Sequence, residues 1–126
     1  MNQALILFAH GARDPEWANP LRRVRDVIVR QLPGQRVELA FLEFMTPTLE
    51  ESVGSLVGAG CQQIAIVPLF IAQGGHLKRE LPQMVDALRS TYPAVTFSLS
   101  TPVGEHPDVI AAMAGAALDL AGLSLA

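Results

Sequence analysis

The segment from Ala4 to Pro15 constrains the fold of this chain more than any other. A short apolar run, Leu5–Ala9, ends abruptly in residues 10–15, which have the sequence HGARDP. An apolar run of this length, bounded by glycine and proline, is typical of a strand buried on both faces of a parallel sheet. Ligands of open parallel sheets bind outside the carboxyl ends of the strands. We therefore expect His10 to lie where a functional site would form.

Further strand-like segments alternate with helical patterns along the chain. The first two predicted helices follow polar, proline-containing start signals, Asp14-Pro15-Glu16 and Thr46-Pro47. The remaining predicted strands are Val37–Glu43, Gln63–Phe70 and Thr96–Ser100, and the last two helices begin near Leu77 and at His106-Pro107. The resulting order, βαβαβαβα, predicts a parallel sheet with right-handed crossovers and helices on both faces.

Four strands in this order favour a flavodoxin-like, three-layer α/β/α fold with strand order 2-1-3-4. The crevice of such a sheet opens between strands 1 and 3. The chain has 126 residues, a length typical of one domain. We therefore predict one domain over residues 1–126.

Composition and charge exclude several classes of function. The chain has 9 Lys and Arg against 12 Asp and Glu and no basic run, which argues against nucleic-acid binding. The longest apolar stretch, Ile64–Ala72, contains Pro68 and is too short to span a membrane. Cys61 is the single cysteine, and no signal peptide is evident. We expect a cytoplasmic protein with Cys61 in a structural role.

The last predicted helix is unusually apolar. Asp119 is its only charged residue between Ala111 and Ala126. A helix that is apolar nearly all round is normally buried, and in so short a chain a partner subunit would supply the cover. The alternative is a helix of small residues packed on its own sheet, with alanine and serine facing water.

The predicted topology brings His10, Glu43 and His76 to the carboxyl edge of neighbouring strands. Two imidazoles and a carboxylate can bind a first-row divalent metal and can accept protons near neutral pH. Gly74-Gly75 precedes His76 and would let the backbone approach a ligand closely. Each residue also has a simpler interpretation: His10 and His76 as loop histidines, and Glu43 as a solvated carboxylate. His106 is better interpreted as a residue that starts a helix.

These motifs together resemble the CbiX family, the small sirohydrochlorin chelatases of the class II chelatase superfamily. The resemblance covers essentially the whole chain. It is carried by HGARDP at 10–15, Glu43 after a strand, PLF at 68–70, Gly75-His76, and Glu80-Leu81-Pro82. The family often has Asp-Ile-Pro at the last of these positions, so acidic and apolar character are retained there.

The resemblance implies a function, a site and an assembly. The family inserts cobalt, iron or in some archaea nickel into sirohydrochlorin, in cobalamin or sirohaem synthesis. By this resemblance His10 and His76 are the catalytic pair, and Glu43 joins them as a metal ligand. The short form is similar to one half of the long members and works as a homodimer. The divalent metal is a substrate, and no permanent cofactor is implied.

Sirohydrochlorin carries many carboxylates, whereas the chain has a net charge of −3. Binding the macrocycle therefore requires a local basic rim. Arg13, Lys78 and Arg79 flank the predicted site and are candidates for this rim. They can equally be ordinary solvated charges.

Two competing functions use the same residues. A carrier of metal or tetrapyrrole would bind through His10, Glu43 and His76 without turnover. A histidine phosphatase would also place His-Gly-x-Arg after a strand, but that family requires an arginine immediately before the histidine, where this chain has Ala9.

Overall fold

Four parallel strands form one sheet in the structure, a computed structural model that describes residues 2–123. The strands pair in the order β2-β1-β3-β4, and every pairing is parallel. Their bounds are Gln3–Ala9 for β1, Arg36–Phe41 for β2, Gln63–Pro68 for β3 and Thr96–Leu99 for β4. The predicted fold class and strand order are confirmed. β2 ends two residues before Glu43, so Glu43 lies just beyond the strand end.

Four α-helices connect or follow the strands. Their bounds are Asn19–Gln31 for α1, Leu49–Gly58 for α2, Gly75–Thr91 for α3 and Pro107–Leu120 for α4. Two short 3-10 helices, Pro15–Ala18 and Val103–Glu105, precede α1 and α4. No helix within residues 2–123 is long and apolar enough to cross a bilayer.

Two predicted helix starts differ from the structure. Asp14 caps the 3-10 helix, where its carboxylate accepts from the Glu16 N–H at 2.9 Å, and α1 begins only at Asn19. α2 is capped by Thr48, so the prediction of a cap at Thr46 was wrong. The Thr48 hydroxyl accepts from the Glu51 N–H at 3.2 Å, and the Glu51 carboxylate accepts from the Thr48 N–H at 2.9 Å. This reciprocal pair satisfies two N–H groups that the first turn leaves free.

One face of the sheet is fully covered by α2 and α3. Side chains of all four strands contribute to this core, because alternate residues of a strand point to the same face. They pack against Leu49, Val53, Leu81 and Val85 from the two helices. The strand residues on this face include Ile6, Phe8, Ala40, Ile64, Ile66 and Phe97, each at most 5% exposed.

The opposite face is covered only in part. α1 lies over β2 and β1, where Leu7, Ala9, Leu39 and Phe41 form a smaller core. The residues of β3 and β4 on this face remain accessible: Ala65 and Val67 are half-buried, and their neighbours Thr96 and Ser98 are exposed.

α4 does not cover this open half of the sheet. Every residue from Ala111 to Leu123 is exposed, and only Val109 near the start of the helix is half-buried. The alternative in which this helix packs on its own sheet is therefore wrong for residues 107–120.

Candidate functional site at the carboxyl edge of the sheet

His10 and Glu43 are tied together by the backbone just beyond the ends of β1 and β2. The Leu42 N–H donates to the Ala9 carbonyl at 2.9 Å, and the Glu43 N–H donates to the His10 carbonyl at 3.1 Å. These bonds continue the β1–β2 pairing past the last strand residues. The backbones of His10 and Glu43 therefore lie side by side at the carboxyl edge of the sheet, as the topology predicted.

Gly11 permits this close approach. Its φ is +86°, a left-handed backbone conformation that favours glycine. A Cβ at this position would overlap the carbonyl oxygen of Glu43. The second residue of the HGARDP motif must therefore be glycine for His10 and Glu43 to remain adjacent.

The imidazole of His10 rests on the ring of Phe70. The ring centroids are 4.4 Å apart and the planes are tilted by 33°. Phe70 is itself 2% exposed and contacts Phe8 edge-on at 6.0 Å. The buried Phe70 ring thus supports one face of the His10 imidazole, although His10 is an exposed residue.

His76 is held in a different way. It lies in the first turn of α3, not in the preceding loop as predicted, because α3 begins at Gly75. Its Nε2 is 2.6 Å from Oε2 of Glu80, one helical turn further on, and its side chain is 84% exposed. Glu80 was identified only as part of a motif. The four-residue spacing from His76 is the signal that would have indicated this contact.

Within residues 2–123 no three His, Cys, Asp or Glu side chains lie close enough together to form a metal site. The structure instead has one contacting imidazole–carboxylate pair at this edge, His76 with Glu80, and a backbone hydrogen bond that holds Glu43 beside His10. The assignment of His10, Glu43 and His76 as a joint ligand set stays a prediction.

The predicted basic residues lie on two sides of this edge. The Arg13 guanidinium sits 5.0 Å from the ring centroid of Phe44. Phe44 directly follows Glu43, is 57% exposed and has a φ of +66°, which is rare for a bulky residue. Lys78 lines a cleft of about 490 Å³ that also includes Ile71 and Ser100. Arg79 is exposed on α3.

The arrangement combines three chemical properties. Imidazoles and carboxylates bind borderline divalent metals and exchange protons near neutral pH. The exposed apolar side chains of Phe44 and Ile71, the latter 71% exposed, suit contact with a flat organic ligand. Arg13 and Lys78 add positive charge next to these apolar groups.

The parallel sheet, with His10 beyond β1 and the His76–Glu80 pair at the start of α3, defines a small α/β protein whose candidate site lies at the carboxyl edge of the sheet. Comparison with known families is more specific. The family model described as CbiX matches residues 4–119. The chain therefore belongs to the CbiX family. The buried Ala9 before His10 is not the arginine that a histidine phosphatase requires.

Known proteins resemble this chain in sequence and in structure. A sirohydrochlorin cobaltochelatase from Methanococcus aeolicus is 34% identical over 83 residues, which is 66% of this chain and 58% of that protein. The crystal structure of a CbiX protein of cobalamin (vitamin B12) biosynthesis from Marinobacter aquaeolei has a TM-score of 0.85 at 28% identity, covering 95% of this chain and 98% of that one.

The sirohydrochlorin chelatase SirB from Bacillus subtilis, solved with cobalt, has a TM-score of 0.80 at 27% identity. That match covers 96% of this chain and 52% of SirB. The chain also spans only 35% of the length of a curated relative from Priestia megaterium. Relatives therefore include both chains of this length and chains about twice as long.

Proposed function

We propose that this protein inserts a divalent metal, Co²⁺ in the first instance, into sirohydrochlorin. The observation that supports the proposal is the placement of two exposed histidines at one sheet edge, His76 in contact with Glu80 and His10 beside the backbone of Glu43, in a chain that matches CbiX over residues 4–119. The names of the Methanococcus and Bacillus relatives supply the macrocycle and the metal. Fe²⁺ and Ni²⁺ are the other candidate metals.

Metal insertion exchanges one divalent cation for two protons. The cation must pass from protein to macrocycle, and two pyrrole N–H groups must each lose a proton. His10 and His76 serve both needs, because a neutral imidazole donates a lone pair to a metal and takes up a proton at neutral pH. Imidazoles also hold such metals less tightly than thiolates do, which favours release to the macrocycle.

Glu43 and Glu80 have complementary roles in this proposal. Glu43 acts with His10 as an oxygen ligand for the incoming metal. Glu80 orients the His76 ring through the 2.6 Å contact with Nε2. A carboxylate behind an imidazole fixes the ring and raises its basicity, so this pair suits the proton-accepting step.

The macrocycle would bind with its flat face on apolar side chains and its carboxylates near cations. Phe44, beyond the end of β2, and Ile71, beyond the end of β3, are exposed apolar groups. Arg13, Lys78 and Arg79 are the candidate partners of the peripheral carboxylates. The Arg13 guanidinium lies over the Phe44 ring. Of the three cations it is therefore the best placed to meet a carboxylate of a macrocycle whose flat face rests on Phe44.

We further propose a homodimer and a cytoplasmic location. An edge that is open to solvent on one side leaves much of a large macrocycle uncovered, and a second copy would close it. The free and buried thiol of Cys61 suits a reducing compartment.

The decisive test is an anaerobic turnover assay. Sirohydrochlorin is mixed with excess Co²⁺, Fe²⁺ or Ni²⁺ and catalytic amounts of protein, and the absorbance change is followed. We expect many metallations per protein chain with the wild type and few or none with His10→Ala. The wild-type rates with the three metals would rank them. Stoichiometric binding without turnover would contradict the chelatase and identify a carrier.

A further inference from the structure

We infer that Arg13 and Arg22 together bind one peripheral carboxylate of the macrocycle, in a pocket next to His10. The inference rests on the proposed function and adds Arg22, which lies outside the predicted basic rim, to the substrate-binding residues. It follows from a cavity that two guanidinium groups line together.

The arginine pocket is a cavity of about 330 Å³ lined by Arg13, Arg22, Phe44 and Met45, among others. Arg22 enters it from the first turn of α1, and Arg13 enters it from the loop after β1. Arg13 lies three residues after His10, so their Cα atoms are at most about 11 Å apart. A tetrapyrrole macrocycle over His10 can therefore reach the pocket with one of its peripheral arms.

Positive charge dominates the arginine pocket. Among the described residues that line it, Arg13 and Arg22 are charged and none is acidic. Two guanidinium groups that face one small cavity repel each other, and an anion between them offsets this repulsion. The cleft of about 490 Å³ differs, because both Lys78 and Glu105 line it and their charges oppose. An anionic arm of the substrate is therefore better held in the arginine pocket.

Both guanidinium groups are held in place by the protein. The Arg13 guanidinium lies 5.0 Å from the ring centroid of Phe44. Nη1 of Arg22 donates to the side-chain oxygen of Asn19 at 2.9 Å and to the Pro15 carbonyl at 3.3 Å. Within residues 2–123 neither Nε nor Nη2 of Arg22 has an acceptor, so both can donate to a ligand. A side chain that is already ordered loses less entropy when it binds.

A carboxylate on a short arm matches the chemistry of the arginine pocket. Two N–H groups in the plane of a guanidinium form parallel hydrogen bonds to a carboxylate or a phosphate. The apolar side chains of Phe44 and Met45 suit the flat ring and the carbon atoms of the arm. A free phosphate ion would use the charges alone, whereas the macrocycle uses both the charges and the apolar contacts. A carboxylate bound here would fix the position of the ring relative to His10.

Titration of metal-free sirohydrochlorin, followed by its absorbance, tests the arginine pocket without requiring turnover. We expect Arg22→Ala to raise the dissociation constant about fivefold, the upper range for an exposed ion pair, and Arg23→Ala to change it less than about twofold. Arg23 is the matched control, because it is the next arginine on α1 and is exposed outside the pocket. Equal effects of the two substitutions would overturn the inference, because net charge would then explain the affinity.

Two further variants distinguish a shared carboxylate from general attraction. Arg22→Lys keeps the charge but lacks the planar pair of donors, so we expect it to bind as weakly as Arg22→Ala. Combining Arg13→Ala with Arg22→Ala should raise the dissociation constant by less than the product of the single effects. Wild-type affinity in Arg22→Lys, or effects that simply multiply, would overturn the inference. Thermal melts check folding, and if Arg22→Ala is unstable, Arg22→Lys takes its place in the comparison with Arg23→Ala.

Binding and turnover can fail independently of each other. Turnover by the wild type, with unchanged sirohydrochlorin affinity in Arg22→Ala, would overturn the arginine pocket and leave the chelatase. Weaker binding in Arg22→Ala without turnover by the wild type would leave the pocket and overturn the chelatase. Calorimetry with inorganic phosphate tests a free anion as the ligand. Phosphate binding that Arg22→Ala abolishes, while sirohydrochlorin affinity stays unchanged, would overturn the macrocycle carboxylate as the occupant.

Discussion

His10 and His76 present the same side chain at the same edge of the sheet, but the chain supports them differently. His10 follows β1 directly, shares a backbone hydrogen bond with Glu43 and stacks on the buried ring of Phe70. His76 lies in the first turn of α3 and contacts a carboxylate of its own helix.

This difference in support indicates different roles for the β1 half of the site, His10 and Glu43, and the α3 half, His76 and Glu80. Residues tied into a sheet by backbone bonds keep their geometry without a ligand, and this is what a first metal-binding position requires. His76 lies on the first turn of a helix that follows a six-residue loop, residues 69–74, so we expect its position to adjust when a large substrate arrives. We therefore expect substitutions near His10 to affect both folding and activity, and substitutions near His76 to affect activity alone.

The largest expected effect comes from Gly11→Ala. The new Cβ would meet the Glu43 carbonyl oxygen, and alanine would be held at a positive φ. We expect the free energy of unfolding to fall by roughly 2–4 kcal/mol and the metallation activity to be lost with it. Chemical denaturation measures the first and the turnover assay the second.

Gly75→Ala is the matched control for stability. A Cβ there meets nothing within 4 Å, and the residue begins a helix. We expect a change within about 1 kcal/mol, in the stabilising direction, because alanine favours helix more than glycine does. If both substitutions lowered the free energy of unfolding equally, the proposed difference in rigidity between the two halves of the site would be wrong.

Replacing each histidine by alanine separates its contribution to turnover from its contribution to the stability of the fold. Both His10→Ala and His76→Ala should lower turnover by about 100-fold or more, the range for loss of a group that transfers protons. Only His10→Ala should also lower the free energy of unfolding, by about 0.5–1.5 kcal/mol, because it loses the stacking on Phe70. Thermal melts and initial rates on the same preparations test this. Wild-type turnover in His76→Ala would remove that residue from the mechanism.

Much of the β1 half of the site could be predicted from the sequence, and the reason is physical. An apolar strand that ends in a polar motif marks its own carboxyl edge, and parallel order places Glu43 next to it. Strand order and the position of His10 follow from local pattern and general rules of topology.

The α3 half was harder to predict. Gly74-Gly75 indicates a loop, but glycine is also tolerated at the start of a helix, so the helix boundary could be placed only near Leu77. The contact between His76 and Glu80 depends on that boundary, because only a helical turn brings residues four apart together. The position of α4 could not be predicted either, because an apolar sequence indicates that a helix is buried but not which surface covers it.

Glu80→Gln tests the α3 half with a smaller expected effect. Glutamine keeps the shape but loses the charge that holds the His76 ring at 2.6 Å. We expect kcat/KM to fall by about tenfold, in line with the loss of a carboxylate behind an imidazole, with stability little changed. Asp86→Asn is the control, because Asp86 pairs with Arg89 on the same helix at 2.8 Å, away from the site. Similar rates for both variants would contradict a positioning role for Glu80.

The smallest effect is expected from Arg13→Ala, and it bears on whether the β1 half also binds the macrocycle. If Arg13 meets a peripheral carboxylate, its loss should raise KM for sirohydrochlorin a few-fold and leave kcat nearly unchanged, because such binding is the same in the ground and transition states. Added salt should narrow the gap between wild type and variant, since exposed charges are screened. Arg36→Ala is the matched control: Arg36 is also an exposed arginine but lies at the amino end of β2, on the opposite edge of the sheet. An equal rise in KM for both would mean that net charge attracts the substrate, whereas a rise confined to Arg13→Ala would place a macrocycle carboxylate beside His10 and Glu43.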